Sequence, residues 1–437
     1  MIKSSRRIFL QRSATLMAGT ALGHSLANAR TGGKSADRIN VALIGCNGMG
    51  FYNLQDHLKV PNVACVALCD VDESVLNRRA ADLSKITSKA PRLVNDFRRI
   101  IDDKTIDVVI VGTPDHWHCL PTVQACESGK DVYVEKPLAN SIYECEVMLK
   151  AARKYNRIVQ VGQQQRSGQH WQDTVALVKS GRIGKLRKIK AWGFFEYGRT
   201  APRVPDSGVP AGVNYDMWLG PAPERPFNTG RFHGNWRFSW DYGGGLLTDW
   251  GVHLLDIALW AVDGKMPHTI QSVGGIYAYK DNQIETADTQ TVLYSYDDMH
   301  IEWEHLGGLH NGYYGRGYGI AFIGNDATLV VNREGWELIP ELENNQAKTE
   351  AIPLQQADRS DHIKHVTNFI ECVRSRKLPI CDVETGRNAA VLAHMGNIAY
   401  RTGDKLQWDP QARQFVSNSK ANGLITPAYR KPWVLPQ

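Results

Sequence analysis

The sequence predicts an α/β protein in two parts: a doubly wound parallel sheet, then an α+β region with a large, open, mostly antiparallel sheet. Three observations predict it. Short apolar runs alternate with helical patterns from Ile39 to Gly162. A glycine-rich turn, Gly45-Cys46-Asn47-Gly48-Met49-Gly50, follows the first of these runs. From Ile270 to Val331, strand runs such as Thr289 to Ser295 and Ile320 to Ile323 succeed one another with polar turns and no helix between. The chain has 437 residues, 43% hydrophobic and 22% charged, which is enough for at least two full cores.

The first thirty residues stand apart from both cores. Ser5-Arg6-Arg7-Ile8-Phe9-Leu10 resembles a twin-arginine export signal. It is followed by a mildly apolar run, Ala14 to Gly23, too short to span a bilayer, and a small-residue site at Ala27-Asn28-Ala29. Residues 1–29 are therefore expected to be a signal peptide, and the mature protein periplasmic or otherwise exported. That route carries folded proteins with cofactor already in place, so any cofactor is expected to be tightly bound. Removal through Ala29 leaves 47 basic against 45 acidic residues, or +2, a balance that gives no argument for nucleic acid or membrane as partner. The eight cysteines form no C-x-x-C pair and read as buried thiols, with a single bridge as the alternative. His305 and His310 have no third partner at metal spacing, so no metal is expected.

The run Ile39 to Ile44 suits a strand buried on both faces, and the turn after it suits a phosphate cradle at a helix N-terminus. Gly45, Asn47, Gly48, Met49 and Gly50 are the candidate cofactor-binding residues of that turn. Asn47 stands where the second glycine of G-x-G-x-x-G belongs. Asparagine tolerates positive φ, so the loop is expected to survive, while Gly50 allows close helix–strand packing. A second apolar run, Val63 to Cys69, ends in Asp70, 20 residues past Gly50, where an acid accepts from ribose hydroxyls and repels a 2′-phosphate. Residues 38–160 therefore read as a Rossmann domain that binds NAD in preference to NADP.

The alternation continues through a helix at Glu73–Leu83, a strand at Arg92–Val94, a helix at Asp96–Ile101 and a strand at Asp107–Val111. This strand ends in Gly112-Thr113-Pro114-Asp115-His116, and the next, Asp131 to Val134, ends in Glu135-Lys136-Pro137. Ligands bind at the carboxyl ends of such strands, which puts Thr113, Pro114, His116, Glu135 and Lys136 on the rim of the cofactor crevice. The second part, residues 161–437, opens with Gln163-Gln164-Gln165-Arg166. In this polar cluster Gln163 and Arg166 could line a substrate site, a plain loop being the alternative. The Pro- and Gly-rich stretch Thr200 to Gly234 is long for a structureless loop and suggests a functional cover or a partner contact. After Gly243-Gly244-Gly245 the periodicity is helical, which sets Asp249 and His253 on one face. Helices are expected at Trp171–Ser180, His362–Ser375 and Val383–Tyr400.

The glycine loop with Asp70, the Thr113-Pro114-Asp115-His116 stretch and Glu135-Lys136-Pro137 together resemble the glucose-fructose oxidoreductase / inositol dehydrogenase (Gfo/Idh/MocA) family of nicotinamide-dependent sugar enzymes. The resemblance implies hydride transfer between a secondary hydroxyl of a sugar, glycoside or polyol and bound nicotinamide. It implies that Lys136 reaches the reacting hydroxyl, ahead of a proline that is often cis. Asp249 and His253 would then stand beside the reacting carbon, with Trp236 and Arg237 lining the substrate. A pre-proline residue is barred from the helical region, so Lys136 is held at the strand end. His253 is expected to take the proton, alone or with Asp249, while Lys136 stabilises charge on the oxygen, the final transfer being open between Lys136 and His253. Exported relatives of this type include NAD-dependent glycosidases, so hydrolysis by transient oxidation, elimination and re-reduction is the alternative. A non-catalytic sugar sensor is a third reading, against which the intact Lys136, Asp249 and His253 count. The open sheet is expected to carry a homo-oligomer contact.

Overall fold

The computed structural model describes residues 38–196 and 201–437; the export segment read at 1–29 lies outside them. Ile39 to Gln437 form one compact unit. Its first half follows from the apolar runs. β1 (Ile39–Ile44) and β4 (Val108–Val111) are buried at every residue, as strands covered on both faces must be. Between and after them come α1 (Gly48–Lys59), β2 (Val63–Cys69), α2 (Glu73–Ser84), β3 (Arg92–Val94) and α3 (Arg98–Ile101), then α4 (Cys119–Glu127), β5 (Asp131–Val134), α5 (Ile142–Lys154) and β6 (Val159–Val161). The six strands are parallel in the order β3-β2-β1-β4-β5-β6. The order reverses between β1 and β4, and the crevice at that switch point is where such sheets take ligands.

The glycine loop closes against the end of β4. A Cβ on Gly45, whose φ is +83°, would stand 2.7 Å from the Gly112 backbone, and one on Gly50 would stand 2.1 Å from the Gly45 carbonyl oxygen. Asn47 departs from the expectation built on its tolerance of positive φ. It caps α1 in an extended conformation, φ −87°, and the left-handed conformations fall on Gly45 and Gly48. That backbone needs no glycine at position 47, so the departure from G-x-G-x-x-G leaves the turn intact.

The second half holds α6 (Gln169–Lys179), β7 (Lys188–Phe195), α7 (Tyr215–Leu219), α8 (Val252–Ala261), β8 (Thr269–Gly275), β9 (Thr289–Ser295), β10 (His300–Gly307) and β11 (Tyr318–Ile323). β12 (Ala327–Asn332), β13 (Gly335–Pro340), the short pair β14 (Leu342–Glu343) and β15 (Gln346–Ala347), and β16 (Ile352–Gln356) follow, then α9 (Asp361–Ser375), α10 (Val383–Thr402), β17 (Leu406–Asp409) and β18 (Gln414–Phe415). Ten strands build one open sheet, β16-β13-β12-β11-β7-β10-β9-β8-β17-β18, in which β7 and β10 pair parallel and the other pairings are antiparallel. The parallel pair arises because the chain leaves β7, runs through the long irregular stretch and α8, and returns on the other side.

Alternation sorts the two faces of this sheet. Ile189, Ala191, Ile301, Trp303, Ile320 and Phe322 are fully buried in the core shared with α8 and α10. The neighbouring positions carry ions instead: Lys190 Nζ donates to Glu302 at 2.8 Å and to Glu304 at 2.9 Å. α8 is buried at nearly every position and reads as a central core helix. α9 ties the two halves together, with His362 donating to Asp56 at 2.5 Å and contacting Asn53 Oδ1 at 2.7 Å, both on α1. All eight cysteines are buried free thiols.

Candidate functional site

A cavity of about 450 Å³ opens at the carboxyl ends of β1, β4 and β5 and runs from the glycine loop to the start of α8. At its floor Lys136, next to the cis Lys136–Pro137 bond, projects from the end of β5. Its ammonium donates to Asp249 Oδ1 at 2.6 Å and to the Asp249 carbonyl at 2.9 Å, which leaves one N–H of its three for a substrate oxygen. Arg237 Nε donates to the same Oδ1 at 3.2 Å, its guanidinium resting over the Trp236 ring. One carboxylate thus holds two cations at the cavity wall.

Asp249 does not lie on a plain α-helix, as the periodicity predicts. It sits in a wide π turn, Leu247–Gly251, and α8 begins only at Val252. π turns of this kind recur at functional sites, and this one presents Asp249 and His253 to the same cavity. The entry to the turn depends on Gly245, at φ +68°, where a Cβ would stand 2.6 Å from Thr286. His253 is buried, and its Nδ1 makes no hydrogen bond to the described residues. Burial, with the charges of Lys136 and Arg333 adding, holds its pKa well below the ordinary 6.5. The shift favours the neutral ring, whose free lone pair is what a proton acceptor needs.

At the other end Gly45, Asn47, Gly48, Met49, Asp70, Thr113, Pro114 and Glu135 border the cavity. Asp70 accepts from Cys46 N at 2.7 Å and from Asp72 N at 3.1 Å, so it braces the glycine loop as well as facing the cavity; burial raises its pKa. Glu135 takes a hydrogen bond from Asn53 Nδ2 at 2.8 Å and ties α1 to the end of β5. A Cβ on Gly48 would meet nothing within 4 Å. An open backbone turn at a helix N-terminus with a buried acid beyond it fits a nicotinamide dinucleotide: Gly45 to Met49 would hold the pyrophosphate and Asp70 the ribose.

Four residues expected at the site lie elsewhere. Gly50 is spent on packing against Gly45. His116 is buried behind the wall, its Nε2–H donating to the Trp218 carbonyl at 3.0 Å, and burial lowers its pKa to about 4. Gln163 and Arg166 are corrected as substrate-lining residues. The 3₁₀ turn Gln164–Ser167 carries Arg166 behind α8, where it pairs with buried Asp256 at 2.7 Å and stacks on Trp260, and Gln163 faces the Val252 carbonyl. Gln164 faces the cavity instead.

Cavity residues that sequence reasoning passed over are Asp115, Trp218, His233 and Arg333. Asp115 stands inside the quoted strand-end stretch, and its position there was the available signal. Burial drives its carboxyl well above the usual range against the pull of Arg237. Trp218 and His233 come from the long stretch read as a cover. That stretch is laid across the rim after β2: Asn214 N donates to Val71 O at 2.8 Å, Glu73 N to Gly212 O at 2.9 Å, and His233 Nε2–H to Asp72 Oδ2 at 2.7 Å.

The parallel sheet with its glycine cradle, joined to an open sheet whose π turn and following helix bring an Asp and a His to the cavity of a strand-end Lys, defines a nicotinamide-binding oxidoreductase class of protein. Residues 39–163 match the model of the oxidoreductase family's NAD-binding Rossmann fold, and residues 174–310 and 320–435 that of its C-terminal alpha/beta domain. The chain belongs to the Gfo/Idh/MocA oxidoreductase family. It is similar to an alpha-N-acetylgalactosaminidase of Shewanella oneidensis, 26% identical over 201 residues, a match that covers 41% of this chain and 44% of that relative. The chain thus aligns with less than half the length of that relative. Among solved structures, levoglucosan dehydrogenase with NADH and levoglucosan superposes at a TM-score of 0.65 and 16% identity, over 85% of this chain and 99% of that one. Aldose-aldose oxidoreductase from Caulobacter crescentus, complexed with glycerol, gives 0.63 and 19% over the same shares. These two likenesses show the fold.

Proposed function

We propose that this protein transfers hydride between a secondary hydroxyl of a sugar or glycoside and NAD held in the cavity. The observation that carries this reading is the Lys136–Asp249 contact at 2.6 Å, in a cavity that His253 lines as well and that is continuous with the glycine loop. When bound, the nicotinamide supplies a hydride acceptor and returns the hydride in the reverse direction. Lys136 donates to the substrate oxygen and stabilises the charge that develops as the O–H bond breaks. His253 accepts that proton while the carbon loses its hydrogen with both electrons, leaving a carbonyl. Asp249 holds the Lys136 ammonium in place, and Arg237 restrains Asp249 in turn.

The strap across the rim supports a tightly held cofactor. His233 and Trp218 line the cavity together with Asp70, and His233 is tied to Asp72 beside it, an arrangement that favours slow release of the nucleotide. The twin-arginine segment supports export, where such retention matters because no free nucleotide is at hand. The exposed Val273 and Leu293 on the outer face of the large sheet support a homo-oligomer contact there.

A second reading is a glycosidase that oxidises the sugar transiently, eliminates the aglycone and returns the hydride. The similarity to alpha-N-acetylgalactosaminidase favours it. Mass spectrometry of products from protein as purified, incubated with glycosides and free sugars without added nucleotide, separates the two. A product lighter by two hydrogens with its glycosidic bond intact establishes the dehydrogenase. Free sugar and aglycone without lasting oxidation establish the glycosidase, and an unchanged panel overturns both.

A further inference from the structure

Among the described residues, Arg333 is the cavity cation that pairs with no carboxylate. Lys136 and Arg237 share Asp249, but Arg333, in the turn between β12 and β13, makes no salt bridge among the described residues. Its polar contact is a hydrogen bond from Nη2 to Gln165 Oε1 at 3.3 Å, and its guanidinium lies 4.6 Å from the centre of the Trp250 ring. Trp250 is itself fixed between Phe195, 4.6 Å away, and Tyr318, 5.3 Å away, and it stands edge-on to His253 at 6.1 Å. Glu334, the next residue, is engaged by the Tyr318 hydroxyl at 3.0 Å, and Asp361 and Asp249 act on Arg333 only at longer range. A guanidinium has five N–H donors in a flat fork, so most of these remain to be met.

The cavity wall therefore holds a partly buried positive charge in a fixed position, on an aromatic plate beside the proton acceptor. A neutral hydroxyl would satisfy some of its donors but add no opposite charge to the longer-range pull of Asp361, Glu334 and Asp249 when substrate expels the water. A planar carboxylate satisfies both, two oxygens to two N–H groups.

We infer that Arg333 selects a sugar bearing a carboxylate, a uronic acid or its glycoside, with the acid group on Arg333 and the reacting hydroxyl on Lys136. This rests on the sugar oxidoreductase or glycosidase reading above, and it adds the substrate's charge. Preference for the acid over its matched neutral sugar should weaken with salt, since an ion pair supplies it.

The test compares glucuronic and galacturonic acids and their methyl glycosides with the neutral parents, on the NAD-loaded full-length protein and its Arg333→Met variant. Calorimetric binding and product mass spectrometry are read in parallel. The expected result is a preference for the acids in Kd and kcat/KM that drops about tenfold or more in Arg333→Met, as the loss of one charge-assisted hydrogen-bond pair implies. Equal binding of acids and neutral sugars by the parent protein, or an equal loss for both in the variant, overturns the inference. Turnover of neutral sugars with no preference for acids sinks this inference and leaves the functional reading standing. Binding of acids that depends on Arg333, without turnover of any sugar, does the reverse. If Arg333→Met fails to fold, Arg333→Lys, which keeps the charge but loses the fork, decides by the same ratio.

Discussion

Lys136 and Asp249, 113 residues apart in the chain, meet at 2.6 Å and join the end of the parallel sheet to the turn that begins α8. The contact places a proton donor from one half of the molecule beside a histidine from the other. Replacing Lys136 with Met should lower kcat about a hundred- to a thousandfold, the usual loss when one preorganised donor is removed. Nucleotide retained by the purified variant, measured by absorbance after denaturation, should match the parent. Full turnover in the variant would remove Lys136 from the chemistry.

His253 should stay neutral well below pH 6.5. Its pKa is depressed by burial first and then by Lys136 and Arg333, so the acid limb of kcat/KM falls at a pH lower than an ordinary histidine would set. Histidine NMR checks this directly: the His253 ring should keep its neutral shifts at pH 6, and in Lys136→Met its titration should move up. An ordinary midpoint near 6.5 in the parent protein would contradict the assignment.

His233→Ala removes the side-chain tie between the strap and Asp72. Loss of a hydrogen bond to a charged group should speed nucleotide release about tenfold, read by dilution into a nucleotide-free buffer with fluorescence detection. An unchanged release rate would mean that the strap does not gate the nucleotide.

Arg166 was expected at the substrate and is instead the partner of buried Asp256. Arg166→Met should cost about 3–5 kcal/mol of stability, because it strands a carboxylate in the core, and should leave KM nearly unchanged in the molecules that remain folded. Thermal unfolding together with kinetics separates this from a binding role.

Glu144 is buried, and burial lifts its pKa to about 7 although Tyr429 donates to it at 2.6 Å. A pKa raised from 4.5 in the unfolded chain means that this group's stabilising contribution is complete below pH 4.5 and is lost as pH rises through about 7. Glu144→Gln removes that dependence. At pH 8 it should be more stable than the parent by about 3 kcal/mol at most, with the gap closing towards pH 4, as followed by denaturant titration at each pH.

The parallel sheet was legible in the residues because strands buried on both faces must be continuously apolar, and because a phosphate turn tolerates few side chains. Gly45 and Asp70 were legible for a related reason, each standing at a fixed offset from such a run, whereas Lys136, Asp249 and His253 were singled out by the resemblance of their motifs to the family's. What the sequence could not display is the direction in which a side chain leaves an irregular turn. The 3₁₀ turn after β6 sends Arg166 behind α8 and Gln164 into the cavity, and no local pattern distinguishes the two. Asn47 shows the same limit in the backbone, where left-handed φ passed to its glycine neighbours. Sequence by itself therefore determined the fold class and which residues stand at the strand ends, since those follow from local periodicity and backbone sterics. Only the tertiary structure decided that Asp249 clasps Lys136, that a strap from residues 201–234 lies along the rim, and that Arg333 reaches the cavity with no carboxylate partner among the described residues, because each depends on chain segments that meet only when the two sheets pack.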